Sequence, residues 1–199
     1  MVINTHKILS SIIYDRAQEN LSFQLLDYKY FLWGNVRPDI IPGLALKSHY
    51  KGDSLNFVIK EIQKLSNIQP SMLKNKHVRN NFSMNIGVIS HFLSDFSCYP
   101  HYKDWRYKSS MILSHIKFEK GLNITAKNIS IIPSLSLQPI RDFESDSLES
   151  FIENMFCEHA LNENHLNNLT YASSICTEII KSIISFIFTE KPQAYAQSA

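Results

Sequence analysis

The residues best suited to chemistry lie in one stretch, His91-Phe92-Leu93-Ser94-Asp95-Phe96-Ser97-Cys98-Tyr99-Pro100-His101, with His115 and Glu119 a short way downstream. On a helix, side chains four residues apart share a face with Cβ atoms about 5–6 Å apart, so His91 and Asp95 can grip one ion together. His115 and Glu119 repeat that spacing on the next predicted helix. Zinc takes imidazole and carboxylate ligands, and two helices that each carry such a pair can face one another and build adjacent sites. A single histidine among apolar neighbours is ordinarily a satisfied core or boundary residue. Five ligand-type residues, four of them in two i, i+4 pairs, need a further explanation, and metal binding supplies one. Zinc held there lowers the pKa of a bound water toward neutrality, so metal-assisted hydrolysis is the chemistry this favours.

The pattern H-x3-D-x5-H-x13-H-x3-E resembles, spacing for spacing, the metal-binding core of the bacterial zinc-dependent phospholipases C, with the resemblance covering roughly residues 5–120. Three upstream residues agree with it: Asp39 in Gly34-Asn35-Val36-Arg37-Pro38-Asp39, His49 in Ser48-His49-Tyr50 and His6 in Thr5-His6-Lys7. The resemblance implies that Asp39, His49, His91 and Asp95 hold one zinc, that His101, His115 and Glu119 hold a second, and that His6 with a bridging Asp95 holds a third. In the family the third ion is completed by the amino and carbonyl groups of an N-terminal Trp; the start of this sequence is Met1, five residues before His6.

The resemblance further implies an all-α, single-domain helical bundle of the phospholipase C and P1 nuclease type. Its implied activity is attack of a zinc-bound hydroxide on the phosphate of a glycerophospholipid or other phosphodiester, with Asp39 as both ligand and proton acceptor. Single-strand nucleases of the S1/P1 type are similar in architecture and share H-x3-D-x5-H. They usually carry a longer gap before the last His and close on H-x3-D, whereas this sequence has the shorter gap and Glu119. An S1/P1-type nuclease and a catalytically weak metal-binding protein are the alternative readings. The larger toxins of the phospholipase family add a C-terminal lipid-binding sandwich, and nothing after Gly121 reads as one.

Helices must position these residues. Apolar spacing predicts helices over Thr5–Gln18 and Leu21–Trp33, the second capped by Asn20 and ended by Gly34-Asn35, with residues 34–39 as loop. A helix opened by Asp53 or Ser54 carries Leu55, Val58, Ile59, Ile62 and Leu65 on one stripe, and Pro70 closes that section. The next, Val78–Cys98, buries Ile86, Ile89, Leu93 and Phe96 and stops ahead of Pro100. Further helices are expected over Ser109–Lys120, ended by Gly121, from an Asp146/Glu149 capping box with Leu148, Phe151, Ile152, Met155 and Phe156 inward, and over Thr170–Thr189. Residues 122–145 read as loop because Pro133 and Pro139 interrupt them. The domain is expected to span 1–190, with a frayed polar tail over 191–199.

Composition bounds the rest. In 199 residues, 44% hydrophobic with five glycines and seven prolines, there is room for one well-buried core and little linker punctuation. Twenty basic residues against eighteen acidic give +2, with no basic run, so nucleic acid is not an expected partner. Cys98, Cys157 and Cys176 form no C-x-x-C pair and suit buried core thiols. Histidines 77, 159 and 165 have no placed partner. The apolar stretch Ile8–Tyr14 is too broken for a secretory signal, which points to the cytoplasm. Ile179–Phe188 is about half of what a membrane span requires.

Overall fold

The computed structural model describes residues 1–19, 25–105, 111–158 and 162–189, which form nine α-helices and no strand. In chain order these are α1 (Ile3–Gln18), α2 (Tyr28–Ile40), α3 (Pro42–Ala45), α4 (Lys51–Ser66), α5 (Lys76–Phe96), α6 (Tyr99–Tyr102), α7 (Ile112–Asn128), α8 (Ser145–Glu158) and α9 (His165–Thr189). A 3-10 turn over Pro70–Lys74 precedes α5. The all-α expectation therefore holds.

Helix α5 is the centre of the bundle, packed by α2, α4 and α9, while α1 leans on α2 and α9. Asn75 starts it by accepting the His77 and Val78 backbone N–H groups at 2.8 and 3.4 Å, satisfying donors that a helix start otherwise leaves open. Its expected core residues Ile86, Ile89, Leu93 and Phe96 are all buried, as is the whole expected stripe of α4. On α8, Leu148, Ile152, Met155 and Phe156 are buried and Phe151 is half-buried. That helix begins at Ser145, and Asp146 lies in its first turn rather than capping it; Asp142 takes the Glu144 N–H at 3.0 Å instead.

Helix α9 is by length and composition apolar enough to cross a membrane, and 67% of its apolar window is buried inside the protein. An apolar helix covered on most sides is how a core element looks. Along it lies residues 129–143, without regular structure as expected but not loose. Ile132, Ile140 and Phe143 are buried, and the Leu135 and Ile140 N–H groups donate to the Ser174 and Ser182 hydroxyls of α9 at 2.9 Å each. Serines on α9 thus substitute for the backbone partners this strap lacks.

Helix starts differ from expectation for α2, at Tyr28 after an Asp27 cap, for α4, at Lys51 ahead of Asp53 and Ser54, and for α9, at His165 rather than Thr170. Two helix C-terminal ends differ as well, both at glycine. Residues 34–39 are the second half of α2, which continues through Pro38, and α7 runs past Gly121 to Asn128. A Cβ on Gly34 would meet the Met84 carbonyl oxygen at 2.0 Å, one on Gly87 the Phe31 carbonyl oxygen at 2.3 Å, and one on Gly121 the His165 ring at 2.4 Å. These glycines mark close crossings of α2 with α5 and of α7 with His165, so they continue helices where sequence punctuation suggested ends. The expected Asn20 cap, Leu21–Gln24, Ser109, His159 and the tail over 191–199 lie outside the described residues.

Candidate metal centre

Five helices and one turn converge on one point. Helix α5 presents His91 and Asp95, both fully buried; α1 brings His6, also fully buried; α2 ends near Asp39; the turn between α3 and α4 supplies His49; α6 carries His101; and α7 carries His115 and Glu119. All eight residues singled out in the sequence are brought together. His77 and His165 are not among them: His165 stands over Gly121, its ring centroid 4.7 Å from that of Phe118.

Asp95 is the hub. Its Oδ2 lies 2.9 Å from His49 Nδ1 and 3.2 Å from His91 Nε2, and its Oδ1 lies 3.3 Å from His6 Nε2 and against the amino group of Met1. Asp39 Oδ1 sits 3.7 Å from both His49 Nδ1 and His91 Nε2. On the other side, Glu119 Oε1 lies 3.0 Å from His101 Nε2, 3.1 Å from His115 Nε2 and 3.2 Å from the Met1 nitrogen. The His6 and His91 rings stack with centroids 3.9 Å apart.

The backbone sets which ring nitrogens face inward. His91 Nδ1 donates to the Asn35 carbonyl at 2.7 Å, and His101 Nδ1 donates to the His49 carbonyl at 3.0 Å. With its proton committed there, each neutral ring turns an Nε2 lone pair toward the carboxylates. Two lone pairs about 3 Å apart repel unless a proton or a cation lies between them. The same need shows in atoms left over: His6 Nδ1 and Asp39 Oδ2 are buried with no hydrogen-bond partner. Such groups are costly without an ion to pair them. A cationic group does stand among the carboxylates, the Met1 ammonium between Asp95 and Glu119. The donor set and its geometry therefore fit zinc.

Burial and charge oppose each other throughout. Burial disfavours the charged Met1 amino group, yet the Asp95 and Glu119 carboxylates overcome this and raise its pKa to about 12. Burial and the neighbouring His91 lower His6 to about 3. Burial also acts to raise both Asp95 and Glu119, but the ammonium and surrounding imidazoles hold each well below the usual carboxylate range. Asp39 is raised, by burial first. His49 is raised because its hydrogen bond and charge contact with Asp95 outweigh its burial.

The sequence puts the Met1 amino group five residues from His6, near enough to reach a metal, while three other participants were not read from it: the Asn35 carbonyl, the His49 carbonyl and Cys98. Cys98 is fully buried, and it, His101 and Glu119 each bring one donor atom within 4.8 Å of the others. Two more such groups, His6/His91/Asp95 and Asp39/His49/His91, complete the cluster. The two carbonyls are main-chain groups, which side-chain type does not signal. Cys98 carried a signal, its place between Asp95 and His101, but reads equally as a core thiol.

The family model for zinc dependent phospholipase C matches residues 5–167. The chain belongs to the zinc-dependent phospholipase C family. No curated protein and no solved structure matches it. The match reaches well beyond the ligand pattern, from α1 across α8 and into the start of α9, so family membership rests on the bundle as well as on the His/Asp/Glu spacing.

Membership and geometry together give an acid-sensitive metal-free protein. Below pH 6.5 an unfolded chain protonates His6, which the fold resists until about pH 3, so stability falls as pH drops through that window. Asp95 and Glu119, depressed in the fold, add losses as pH falls through and below their ordinary values of 3.8 and 4.5, opposed only in part by the raised Asp39. On the alkaline side the raised His49 and Met1 groups lose stabilisation as pH climbs above 6.5 and 8.0. The thermal midpoint of chelator-treated protein, scanned from pH 4 to 9, is expected to peak near neutrality, and His6→Gln is expected to flatten the slope between pH 6.5 and 4.5. A midpoint that rises steadily into acid would contradict this assignment of charges.

Proposed function

We propose that this chain is a zinc-dependent phosphodiesterase whose substrate is a glycerophospholipid, cleaved on the phosphate side of the glycerol as by a phospholipase C. The observation that carries the reading is an open cavity of about 620 Å³ lined by His49, His101, His115 and Glu119 together with Trp105, Ile112 and Ile116. Ligating and apolar side chains lining one cavity suit a molecule that joins a phosphate to acyl chains. The match to the family adds support.

Asp39, His49, His91 and Asp95 would hold one zinc, His101, His115 and Glu119 a second, and His6 with Asp95 and the Met1 nitrogen a third. Bound there, zinc supplies Lewis acidity toward the phosphate and makes a water acidic enough to ionise near neutral pH. The chain's own groups do the remainder. Asn35 and the His49 carbonyl keep two imidazoles in the one tautomer that presents Nε2 inward. Asp39 turns Oδ1 to the His49/His91 pair and leaves Oδ2 without a partner, free to take the proton of an attacking water.

Zinc-loaded protein is expected to hydrolyse short-chain phosphatidylcholine to diacylglycerol, and chelation is expected to reduce turnover to background, with recovery on adding zinc. Stoichiometric metal with no hydrolysis of phosphatidylcholine, bis-nitrophenyl phosphate or single-stranded DNA would leave a metal-binding protein in place of an enzyme. Cleavage of the DNA alone would replace the lipid substrate with a nucleic acid.

A further inference from the structure

We infer that Cys98 is a metal ligand, adding a thiolate to His101, His115 and Glu119 so that four protein donors hold the second ion. The inference rests on the proposed zinc-dependent reading and goes beyond the ligand set that the family resemblance carries. Cys98 lies between two ligand positions, three residues after Asp95 and three before His101. Its N–H bonds back to the Asp95 carbonyl at 2.9 Å in the turn that joins α5 to α6. That turn holds the side chain inside the cluster: it is fully buried, and its sulfur, a His101 nitrogen and a Glu119 oxygen all lie within 4.8 Å of one another. Donor atoms of a tetrahedral zinc site with bonds of about 2.0–2.3 Å stand roughly 3.3–3.8 Å apart, so only small side-chain adjustments bring the three onto one ion. His115 Nε2, 3.1 Å from Glu119 Oε1, lies outside that group of three and is the fourth donor by the proposed ligand set.

Cys176 makes the contrast. It is also fully buried, but its sulfur meets the Ser90 carbonyl at 3.4 Å and the Ser94 hydroxyl at 3.6 Å, which is how a core thiol satisfies itself between helices. Binding at Cys98 exchanges an S–H bond for a sulfur–metal bond, and the proton leaves to solvent, one per ion bound. A thiolate is a softer donor than imidazole or carboxylate, so this ion site should favour soft divalent metals more than the Asp39/His49/His91 site does.

Cobalt(II) loaded in place of zinc reads this directly, since a thiolate on cobalt gives a near-ultraviolet charge-transfer band that imidazole and carboxylate do not. The full chain loaded with cobalt is expected to show that band, to lose it in Cys98→Ser with at least about a tenfold drop in affinity at one site, and to keep it in Cys176→Ser. Cobalt uptake without the band, or a band unchanged in Cys98→Ser, overturns the ligand role and leaves the metal-dependent reading intact. No cobalt uptake by the wild-type protein removes both. Should Cys98→Ser fail to fold, X-ray absorption on the wild-type zinc protein decides: sulfur at about 2.3 Å supports the ligand, and its absence overturns it.

Discussion

Asp95→Asn is expected to lower zinc content by two ions per chain and turnover by more than about a hundredfold, since even residues that merely support a ligand cost about 10- to 100-fold when lost. No other carboxylate in the cluster touches as many partners. One carboxylate oxygen serves His49 and His91, and the other serves His6 and Met1, so the group joins two candidate ion positions. An amide can offer only one oxygen, and its NH2 would face donors or metal on the other side. The variant also withdraws the main countercharge of the buried Met1 ammonium, and breaking a buried pair by removing one partner costs about 3–5 kcal/mol. The thermal midpoint of the zinc-treated variant is therefore expected at or below that of chelated wild type. Asp39→Asn provides the comparison, because Asp39 faces only the His49/His91 pair and its loss should leave the His6 side and the Glu119 side loaded. An Asp95→Asn protein with full zinc and an unchanged midpoint would remove Asp95 from its bridging place.

The sequence was most readable where one helix carries its own information. The stripe of α4, the inward face of α5 and the two i, i+4 pairs, His91/Asp95 and His115/Glu119, each depend on a period of 3.6 within a single element. Contacts that need two elements were not visible in this way. That Asn35 fixes the His91 ring follows from a main-chain oxygen on α2 meeting α5, and no side-chain pattern encodes it. Bringing His6, Asp39 and His49 to the cluster from three other segments came from the family resemblance, because spacing alone cannot place residues that far apart in the chain. Glycine misled for a related reason. In one dimension Gly34-Asn35 and Gly121 look like helix stops, while in three they are the low points over which a neighbour passes. The serines of α9 behave likewise, reading as polar interruptions in an apolar helix until the strap over 129–143 supplies their partners.

The crossing of α2 over α5 makes a prediction far from any ligand. Gly34→Ala is expected to destabilise the protein by about 1–3 kcal/mol, the usual cost of overpacking, and to cut turnover by about a hundredfold. A Cβ at position 34 would lie 2.0 Å from the Met84 carbonyl oxygen, which is backbone and cannot rotate away, so the two helices must separate by an ångström or more. Asn35 is the next residue, and its carbonyl holds His91 Nδ1 at 2.7 Å; Asp39, a little over one turn later on α2, faces His91 Nε2 at 3.7 Å. Moving α2 away loosens the tautomer lock and one candidate ligand together, without altering any metal-binding side chain. The loss should be selective: zinc is expected to leave the Asp39/His49/His91 group first and to remain longer at His101, His115 and Glu119, whose side chains α6 and α7 carry. Gly87→Ala, which meets the Phe31 carbonyl oxygen at 2.3 Å from the other side of the crossing, should act the same way. Gly52→Ala, with open space around its Cβ in the first turn of α4, should leave zinc and turnover unchanged. If Gly34→Ala kept wild-type stability, zinc and turnover, the close approach of α2 to α5 would not be what sets the geometry of the metal centre.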